Sequence, residues 1–246
     1  MTALKKLLAL SICFYASLYG DWDVSVLQNT SNSEHILHSP DYINLKSQVK
    51  KGLEKSWCSV EKIDLLMDLT ALTQPNVCVE IGAFTGSSVL PVAAVLKHLN
   101  SGKIFAIDAW SNTVAVQYLA NEDPNKQWWS QVDMRSAFKG FQEVKQKWSL
   151  GNFCKEIPKP SELAIYDIPG EIDFLNLDGD YSETGSLRDV ELYLPKVKSG
   201  GYVLLSNLYI MVNREQPKIK SFCSLFESCE LVCSIEKDNA VLFRKR

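Results

Sequence analysis

The sequence lacks the common marks of zinc proteins and nucleic-acid-binding proteins. It has only three histidines and no Cys-x-x-Cys pair, so no familiar zinc-ligand spacing is present. No basic stripe stands out and the formal net charge is −3, which argues against a nucleic-acid partner. There is no internal repeat and no low-complexity tract. The 246 residues, 46% hydrophobic and 22% charged, are typical of one globular domain.

Long apolar runs are also absent, except near the N-terminus. Lys5 and Lys6 precede a mainly apolar, uncharged run from Leu7 to Tyr19, which fits a signal-peptide core and is short for a membrane span. We expect residues 1–20 to be an export signal, with an uncleaved anchor or a start-site artefact as alternatives. The protein is then exported or secreted if the signal is real and cytoplasmic otherwise, and only this segment is expected to meet a membrane.

The cysteines follow no metal-binding pattern. Six of the seven remain if the leader is removed, and an even number in an exported chain permits disulfides. Burial as small hydrophobic residues is the simpler interpretation. The seven are Cys13, Cys58, Cys78, Cys154, Cys223, Cys229 and Cys233.

From Asn76 onward, short apolar strands alternate with helices. This alternation predicts a Rossmann-like, doubly wound α/β fold with a mostly parallel seven-stranded sheet and a C-terminal antiparallel hairpin. We expect residues 21–57 to be an N-terminal lead-in with a helix, and residues 58–246 to be the folded domain. The strands are predicted over 77–81, 103–108, 152–157, 172–178, 200–207, 229–236 and 240–246.

Glycines and acids follow the first two strands, where open parallel sheets bind ligands. Glu80 leads into a loop with Gly82 and Gly86, whose spacing permits a sharp turn and the close approach of a ligand, although a simple tight turn would also explain it. Asp108 ends the second strand and can accept both hydroxyls of a ribose or cap a helix. Trp110 could cover an adenine or pack in the core. The Gly-x-Gly-x-x-Gly pattern is absent, which argues against a nicotinamide-dependent oxidoreductase.

Two carboxylates lie close together after the fourth strand. Asp178 and Asp180 suggest an amine ligand, a metal or acid–base chemistry, although an Asp-Gly turn is the simpler alternative. Ser206 and Asn207 end the fifth strand, which is expected beside them.

The order of these motifs resembles class I S-adenosylmethionine (SAM)-dependent methyltransferases. The stretch from Glu80 to Ser88, then Asp108, then "DGD" from Asp178, then "LYLPKVKSGGYVLLSN" are similar to small-molecule O-methyltransferases of the catechol and macrocin type and their bacterial relatives. The resemblance covers about residues 58–246. It implies SAM as cofactor and methyl transfer to a small hydroxylated molecule. The alternative is a methyltransferase-like fold that binds a ligand or partner without catalysis.

The resemblance also implies which residues hold the cofactor. Glu80 and the following loop would hold the methionine part, Asp108 the ribose hydroxyls and Asp178 the end that carries the methyl group, while Ser161 would lie near the adenine. The full set is Glu80, Gly82, Ala83, Phe84, Thr85, Gly86, Ser87, Asp108, Ala109, Trp110, Ser161 and Asp178.

One departure from the family puts a metal in question. Metal-dependent members hold a divalent cation such as Mg²⁺ with the first acid after strand four and an acidic pair after strand five, where this chain has Ser206 and Asn207. Asp178 and Asn207 are therefore the candidate ligands, and a metal-free site is the alternative. Without a metal, Asp180 is the first candidate for the general base and Tyr181 the second.

The expected partner is a small-molecule substrate rather than a nucleic acid. Its pocket would be lined by residues 111–150 and by the lead-in. The long insert over residues 112–150 could also form the contact of a homodimer.

Overall fold

The computed structural model of the protein describes residues 34–208 and 218–246. The predicted leader, residues 1–20, lies outside the described residues, as do residues 21–33 of the lead-in. Within the two described ranges, no helix combines the length and the apolar character needed to cross a membrane.

Ten α-helices and seven strands follow one another along the described ranges. The strands are β1 (Val77–Ile81), β2 (Lys103–Ile107), β3 (Cys154–Ile157), β4 (Ile172–Leu177), β5 (Val197–Leu205), β6 (Cys229–Ile235) and β7 (Ala240–Lys245). The helices are α1 (Glu34–Leu37), α2 (Pro40–Gly52), α3 (Val60–Thr73), α4 (Val89–Leu99), α5 (Asn112–Ala115), α6 (Pro124–Gln131), α7 (Met134–Lys147), α8 (Ser161–Ala164), α9 (Glu183–Tyr193) and α10 (Ile219–Ser228).

The strands form one sheet in the order β3-β2-β1-β4-β5-β7-β6. Strands β1 to β5 are parallel, whereas β7 runs antiparallel to both β5 and β6. The predicted fold, doubly wound and mostly parallel with antiparallel C-terminal strands, is confirmed. The chain order reverses between β1 and β4, and such a reversal opens a crevice at the carboxyl ends of the strands.

Strand β5 begins earlier than predicted. The sequence suggested a Gly-Gly turn followed by a strand, but β5 starts at Val197 and contains both glycines. Its register with β4 jumps from the Ile172–Val197 pair to the Phe174–Tyr202 pair, and Gly200 has a φ of 75°. The glycines therefore form a bulge inside the strand, which their conformational freedom permits.

Both faces of the sheet are apolar, as a covered parallel sheet requires. On one face Cys78 and Ile104 pack with helices α2, α3 and α4. On the other face Val79 and Phe105 pack with residues of α9 and α10. Burial raises the pKa of the thiol groups, and five cysteines lie buried as thiols in the described chain: Cys58, Cys78, Cys154, Cys229 and Cys233.

Candidate active site

The glycine loop after β1 is shaped by two close contacts. Gly82 has a φ of 90°, and a Cβ there would lie 2.5 Å from the carbonyl oxygen of Asp178. Gly86 has a φ of 80°, and a Cβ there would collide with the ring of Phe141 on α7. The first glycine thus lets the ends of β1 and β4 approach each other, and the second lets α7 pack under the loop.

Asp108, just after β2, connects the glycine loop to the loop that follows β2. Its Oδ2 accepts a hydrogen bond from the Phe84 amide at 3.0 Å, and its Oδ1 accepts one from the Trp110 amide at 2.7 Å. Burial raises the pKa of Asp108 above its ordinary value, while these two bonds act to lower it. The Trp110 indole donates to the Phe84 carbonyl at 2.8 Å, and its ring lies 4.3 Å from that of Phe138. Trp110 therefore has the core-packing position that was the alternative to covering an adenine.

A cleft opens at the carboxyl ends of β1, β2 and β4 and collects most of the predicted residues. The predicted catalytic residues Asp180 and Tyr181 line it, as does Asn207. Nine of the twelve residues predicted to hold the cofactor also line it: Gly82, Ala83, Phe84, Thr85, Ser87, Asp108, Ala109, Ser161 and Asp178. The other three, Glu80, Gly86 and Trp110, do not line it.

Glu80 lies beneath the floor of the cleft, not on its surface. Its side chain is fully buried. Ser88 Oγ donates to Glu80 Oε1 at 2.5 Å and Asn176 Nδ2 donates to Oε2 at 3.0 Å. Burial, and secondarily the charge of Asp178, raise the pKa of Glu80 to about 7, although Ser88, Lys62 and Asn176 act to lower it. In this arrangement Glu80 contacts Ser88, which lines the cleft, and the contact of Glu80 with the cofactor stays a prediction.

Lys62, on the first turn of α3, is a site residue that the sequence analysis missed. Its Nζ lies 2.7 Å from Asp178 Oδ2 and donates to Ser206 Oγ at 2.9 Å. The side chain is 5% exposed, and it lines the cleft. Burial by itself lowers the pKa of Lys62, but Asp178, together with Cys58 and Glu80, more than offsets this, so the pKa lies above its ordinary value. The group in the cleft is therefore an ammonium ion.

The first turn of α3 is held from two sides. Ser59 Oγ accepts a hydrogen bond from the Lys62 amide at 3.0 Å and caps the helix. The Ser59 amide donates to Asp238 Oδ1 at 3.1 Å, and its hydroxyl donates to Oδ2 of the same carboxylate. Because Asp238 lies in the β6–β7 turn, the C-terminal hairpin fixes the start of the helix that carries Lys62.

The sequence did contain a signal for Lys62. The residue lies on the apolar stripe of α3, in register with Leu65, Leu66 and Leu69, at a spacing of three, four and seven. A cation in the first turn also opposes the helix dipole. A lysine on an apolar stripe at that position indicates a buried acidic partner, but only the fold shows that the partner is Asp178.

The residues around Asp178 do not fit the divalent cation that the family resemblance implies. The two oxygens of Asp178 are engaged, one by Lys62 and the other by Asn207, whose Nδ2 donates to Oδ1 at 2.5 Å. Ca²⁺ and Mg²⁺ require several oxygen ligands at about 2.0–2.6 Å. Within the part of the chain that the structure describes, no group of three or more His, Cys, Asp or Glu residues is arranged for a metal. The candidate ligands Asp178 and Asn207 thus bind each other and a lysine.

A chain of polar side chains continues from the cleft into the core. Ser206 Oγ accepts from Lys62 and lies 3.3 Å from Asn176 Oδ1, to which it donates. Asn176 in turn donates to Glu80. This network explains why a serine and an asparagine are buried at the ends of β5 and β4, since each satisfies a buried polar neighbour.

The two candidate bases have different surroundings. Asp180 Oδ1 accepts from the Ser182 amide at 2.6 Å at the start of α9, and burial raises the pKa of Asp180 above its ordinary value. Burial, and secondarily the charge of Asp178, raise the pKa of Tyr181 well above its usual range. Because Tyr181 holds its proton so strongly, Asp180 is the better candidate base.

Ser161 also lines the cleft, and it is hydrogen-bonded to an acid that was not predicted from the sequence. Ser161 Oγ donates to Asp189 Oδ1 at 2.5 Å, and the Tyr193 hydroxyl donates to the Ser161 carbonyl at 2.7 Å. Asp189 is buried and also lines the cleft. Burial is the main reason that its pKa is raised to about 7.

Five aromatic side chains meet at the mouth of the cleft, and we call them the aromatic cluster: Trp57, Phe84, Trp128, Trp129 and Tyr181. The Trp57 ring lies 5.0 Å from that of Phe84 and 5.2 Å from that of Trp128. The Trp129 ring lies 5.7 Å from that of Tyr181. Trp57 is 60% exposed and Trp128 is 46% exposed, so part of this apolar surface faces solvent.

A family comparison places the chain in a known class. The family described as "Methyltransferase domain" matches residues 79–208, more than half of the chain. The protein therefore belongs to this family of methyltransferase domains. The matched range contains the glycine loop, Asp108, Asp178 and the end of β5, but not Lys62.

Solved structures share the fold at low sequence identity. Methyltransferase PaMTH1 of Podospora anserina, solved with bound S-adenosylhomocysteine (SAH), is 14% identical to this chain with a TM-score of 0.55. The match covers 87% of this chain and 93% of that one. The O-methyltransferase TomG of Streptomyces achromogenes, solved with SAM, is 13% identical with a TM-score of 0.55 and coverage of 84% and 90%. An O-methyltransferase of Bacillus cereus in complex with SAH is 13% identical with a TM-score of 0.52 and coverage of 89% and 100%. A search of curated proteins found no relative by sequence.

Proposed function

We propose that the protein is a SAM-dependent methyltransferase that methylates a hydroxyl group of a small molecule. The observation that carries this proposal is one cleft lined by the glycine loop and Asp108 at one end and by Asp178 and Lys62 at the other. Membership of the methyltransferase-domain family supports it. So does the shared fold with O-methyltransferases whose structures contain SAM or its product, S-adenosylhomocysteine (SAH).

The cofactor end of the cleft has suitable donors and acceptors for this nucleoside. Asp108 offers carboxylate oxygens to the ribose hydroxyls, and Ser161, which lines the same cleft, is the residue proposed to lie near the adenine. Ser87 lines the cleft just before α4, and its hydroxyl group can donate a hydrogen bond to the carboxylate of an amino acid. When bound, the cofactor supplies the methyl group on a sulfonium.

The aromatic cluster indicates the shape of the substrate. Flat aromatic side chains stabilise a planar apolar partner by stacking and by burial of its surface. The cluster lies beside Lys62 and Asp178, which gives a hydroxyl group a polar position at the inner end of an otherwise apolar mouth. We therefore propose a small phenol or a similar planar hydroxylated compound.

For this reaction the protein has to align the hydroxyl oxygen and remove its proton. Alignment and exclusion of water account for much of the rate of such transfers. Asp180 lines the cleft and is the proposed acceptor of the hydroxyl proton. Its backbone contact with Ser182 holds it in place.

Calorimetric titration of the full chain with SAM and with SAH tests the cofactor assignment. Asp108→Ala removes hydrogen bonds to the ribose, so we expect the Kd to rise at least about tenfold. Asp41→Ala, which removes an exposed carboxylate on α2, is the control and leaves the Kd unchanged. A folded wild-type chain that binds neither ligand would refute the proposal.

Methyl transfer from isotopically labelled SAM to a panel of phenols, catechols and aliphatic alcohols tests the reaction. We expect turnover of planar phenolic compounds in preference to aliphatic ones. Tight SAM binding without turnover of any panel member would instead favour the alternative, a methyltransferase-like fold that binds without catalysis.

A further inference from the structure

The cleft contains a fixed positive charge where metal-dependent members of this class hold a metal. Lys62 Nζ is bound to Asp178 Oδ2 and Ser206 Oγ, so it lies between the ends of β4 and β5. These are the two strand ends from which the resemblance drew its metal ligands. A second buried lysine, Lys218, donates to the backbone carbonyl of Ser206 at 2.9 Å but does not line the cleft.

We propose that the Lys62 ammonium is the resident cation of this site, that it takes the place of a divalent metal, and that it holds the substrate oxygen as an oxyanion. This inference rests on the proposed function for its substrate, but its claim about the metal does not. It makes Lys62, which lies outside the range that the family comparison matches, a catalytic residue.

The charges at the strand ends support a monovalent cation. An acid after β4 with an acidic pair after β5 would present three negative charges, which a divalent cation can balance. Here Ser206 and Asn207 are neutral, so Asp178 supplies one negative charge and Lys62 supplies one positive charge. A buried charge is stable only when it is paired, and this pair is balanced without any metal.

The hydrogen bonds of the ammonium leave room for a substrate. A lysine ammonium has three N–H donors, and within the described residues two are used, by Asp178 and Ser206. The side chain lines the same cleft as Tyr181 and Trp129. The remaining donor can therefore meet an oxygen of a ligand that enters past the aromatic cluster.

The surroundings of Lys62 hold the ammonium in one position. Ser59 caps its helix and is bound to Asp238, while Leu66 and Leu69, on the same stripe of α3, are buried in the core. A preorganised cation at the point where negative charge develops is an effective form of electrostatic stabilisation.

The first test asks whether the site binds a metal. Mn²⁺ is titrated into the full chain and followed by electron paramagnetic resonance, with Asp178→Asn beside the wild type. We expect no tight Mn²⁺ site in the wild type. One tightly bound Mn²⁺ that is lost in Asp178→Asn would overturn the proposal, and this holds whether or not the protein binds SAM.

The second test asks whether the ammonium holds an oxyanion. 4-Nitrocatechol is titrated in the presence of EDTA, and its absorption shows whether it binds as the catecholate. We expect the wild type to bind the anion and Lys62→Met to bind it about 30-fold more weakly or worse. Lys46→Met is the matched control, because Lys46 also pairs with an aspartate, at 2.9 Å, but outside the cleft. Binding of the catecholate that is equal in Lys62→Met and the wild type, or absent in the wild type, would overturn the proposal.

A double variant and separate titrations with SAH distinguish failure of this proposal from failure of folding or of the proposed function. The double variant Lys62→Met with Asp178→Asn removes both charges of this pair, so it provides the answer if Lys62→Met does not fold, and we expect it to bind the catecholate equally weakly. Each titration is run with and without SAH, and SAH binding is measured separately. Failure to bind SAH would refute the proposed function, while the Mn²⁺ result would still decide the nature of the cation.

Discussion

The two ends of the cleft are built in different ways. The cofactor end is made from short-range structure, because the glycine loop and Asp108 follow adjacent parallel strands and are tied together by backbone amides. The end that contains Lys62 joins α3 to the ends of β4 and β5, and Lys62 and Asp178 are 116 positions apart in the sequence. The first end depends on backbone shape, whereas the second depends on one buried ion pair. Substitutions at the two ends should therefore have different consequences.

The largest effect is expected from Lys62→Met, which leaves the partly buried carboxylate of Asp178 without its cation. Removal of one partner of a buried ion pair costs about 3–5 kcal/mol, and we expect a loss near the lower end of this range in the free energy of unfolding because the Asp178 side chain is 17% exposed. Urea denaturation measures it. The double variant with Asp178→Asn should recover most of the loss, and Lys139→Met, at an exposed pair with Glu143 on α7, should lose about 1 kcal/mol or less. Equal losses in Lys62→Met and Lys139→Met would contradict the distinction between the two ends.

The next effect concerns Glu80, whose pKa is about 7 in the folded protein and 4.5 ordinarily. Between these values the folded protein binds a proton that the unfolded chain does not, so the free energy of unfolding decreases as the pH rises from 4.5 to 7. The shift corresponds to a decrease of about 3 kcal/mol. Glu80→Gln keeps the neutral form and should remove this part of the decrease. Urea denaturation of both proteins across this pH range gives the comparison, and parallel curves would show that Glu80 ionises as it does in the unfolded chain.

A smaller effect is expected from Gly86→Ala, which tests the backbone shape of the cofactor end. The new Cβ would collide with Phe141 and the residue would keep a positive φ. Gly170→Ala is a matched control, because Gly170 also has a positive φ, of 66°, but its Cβ would meet nothing within 4 Å. We expect a loss of about 1 kcal/mol for Gly170→Ala from strain alone, and about 2 kcal/mol more for Gly86→Ala from overpacking. Chemical denaturation that gives equal losses would show that the contact with α7 is unimportant.

The smallest effect is expected from Trp57→Ala, at the mouth of the cleft. Its ring is largely exposed, so stability should change little, but the KM for a planar phenolic substrate should rise about fivefold through lost stacking. The Kd for SAM should not change. Tyr166→Ala, which removes another exposed ring outside the cleft, is the control for loss of surface aromatic area. Steady-state kinetics that give the same KM for both variants would remove the aromatic cluster from the substrate site.

These differences also show what could be predicted from the sequence. The alternation of strands and helices determined the sheet, because each strand has to bury both faces. The glycine loop and Asp108 were found because they lie directly after strands, where the fold class brings ligands. Asp178 and Asn207 were found in the same way, but the interaction between them was not.

The remaining features depend on contacts between distant segments. Lys62 was missed because a helix near the start of the chain gives no information about which strand end it will face. Glu80 and Trp110 were predicted to hold the cofactor, and in the structure the first is buried below Ser88 and the second packs on Phe138. The sequence gives their positions along the chain, but neighbouring elements decide the direction of each side chain.

The contact between Ser59 and Asp238 has a consequence for the order in which the site is completed during synthesis. A ribosome makes β1, β2 and β4 well before it reaches the β6–β7 turn, so the residues of the cofactor end are all available first. Asp238, which holds the start of α3, comes after six of the seven strands. The positive charge of the cleft is therefore fixed in place only after these six strands have been made, and a chain that stops short of the β6–β7 turn would lack the contact that positions Lys62.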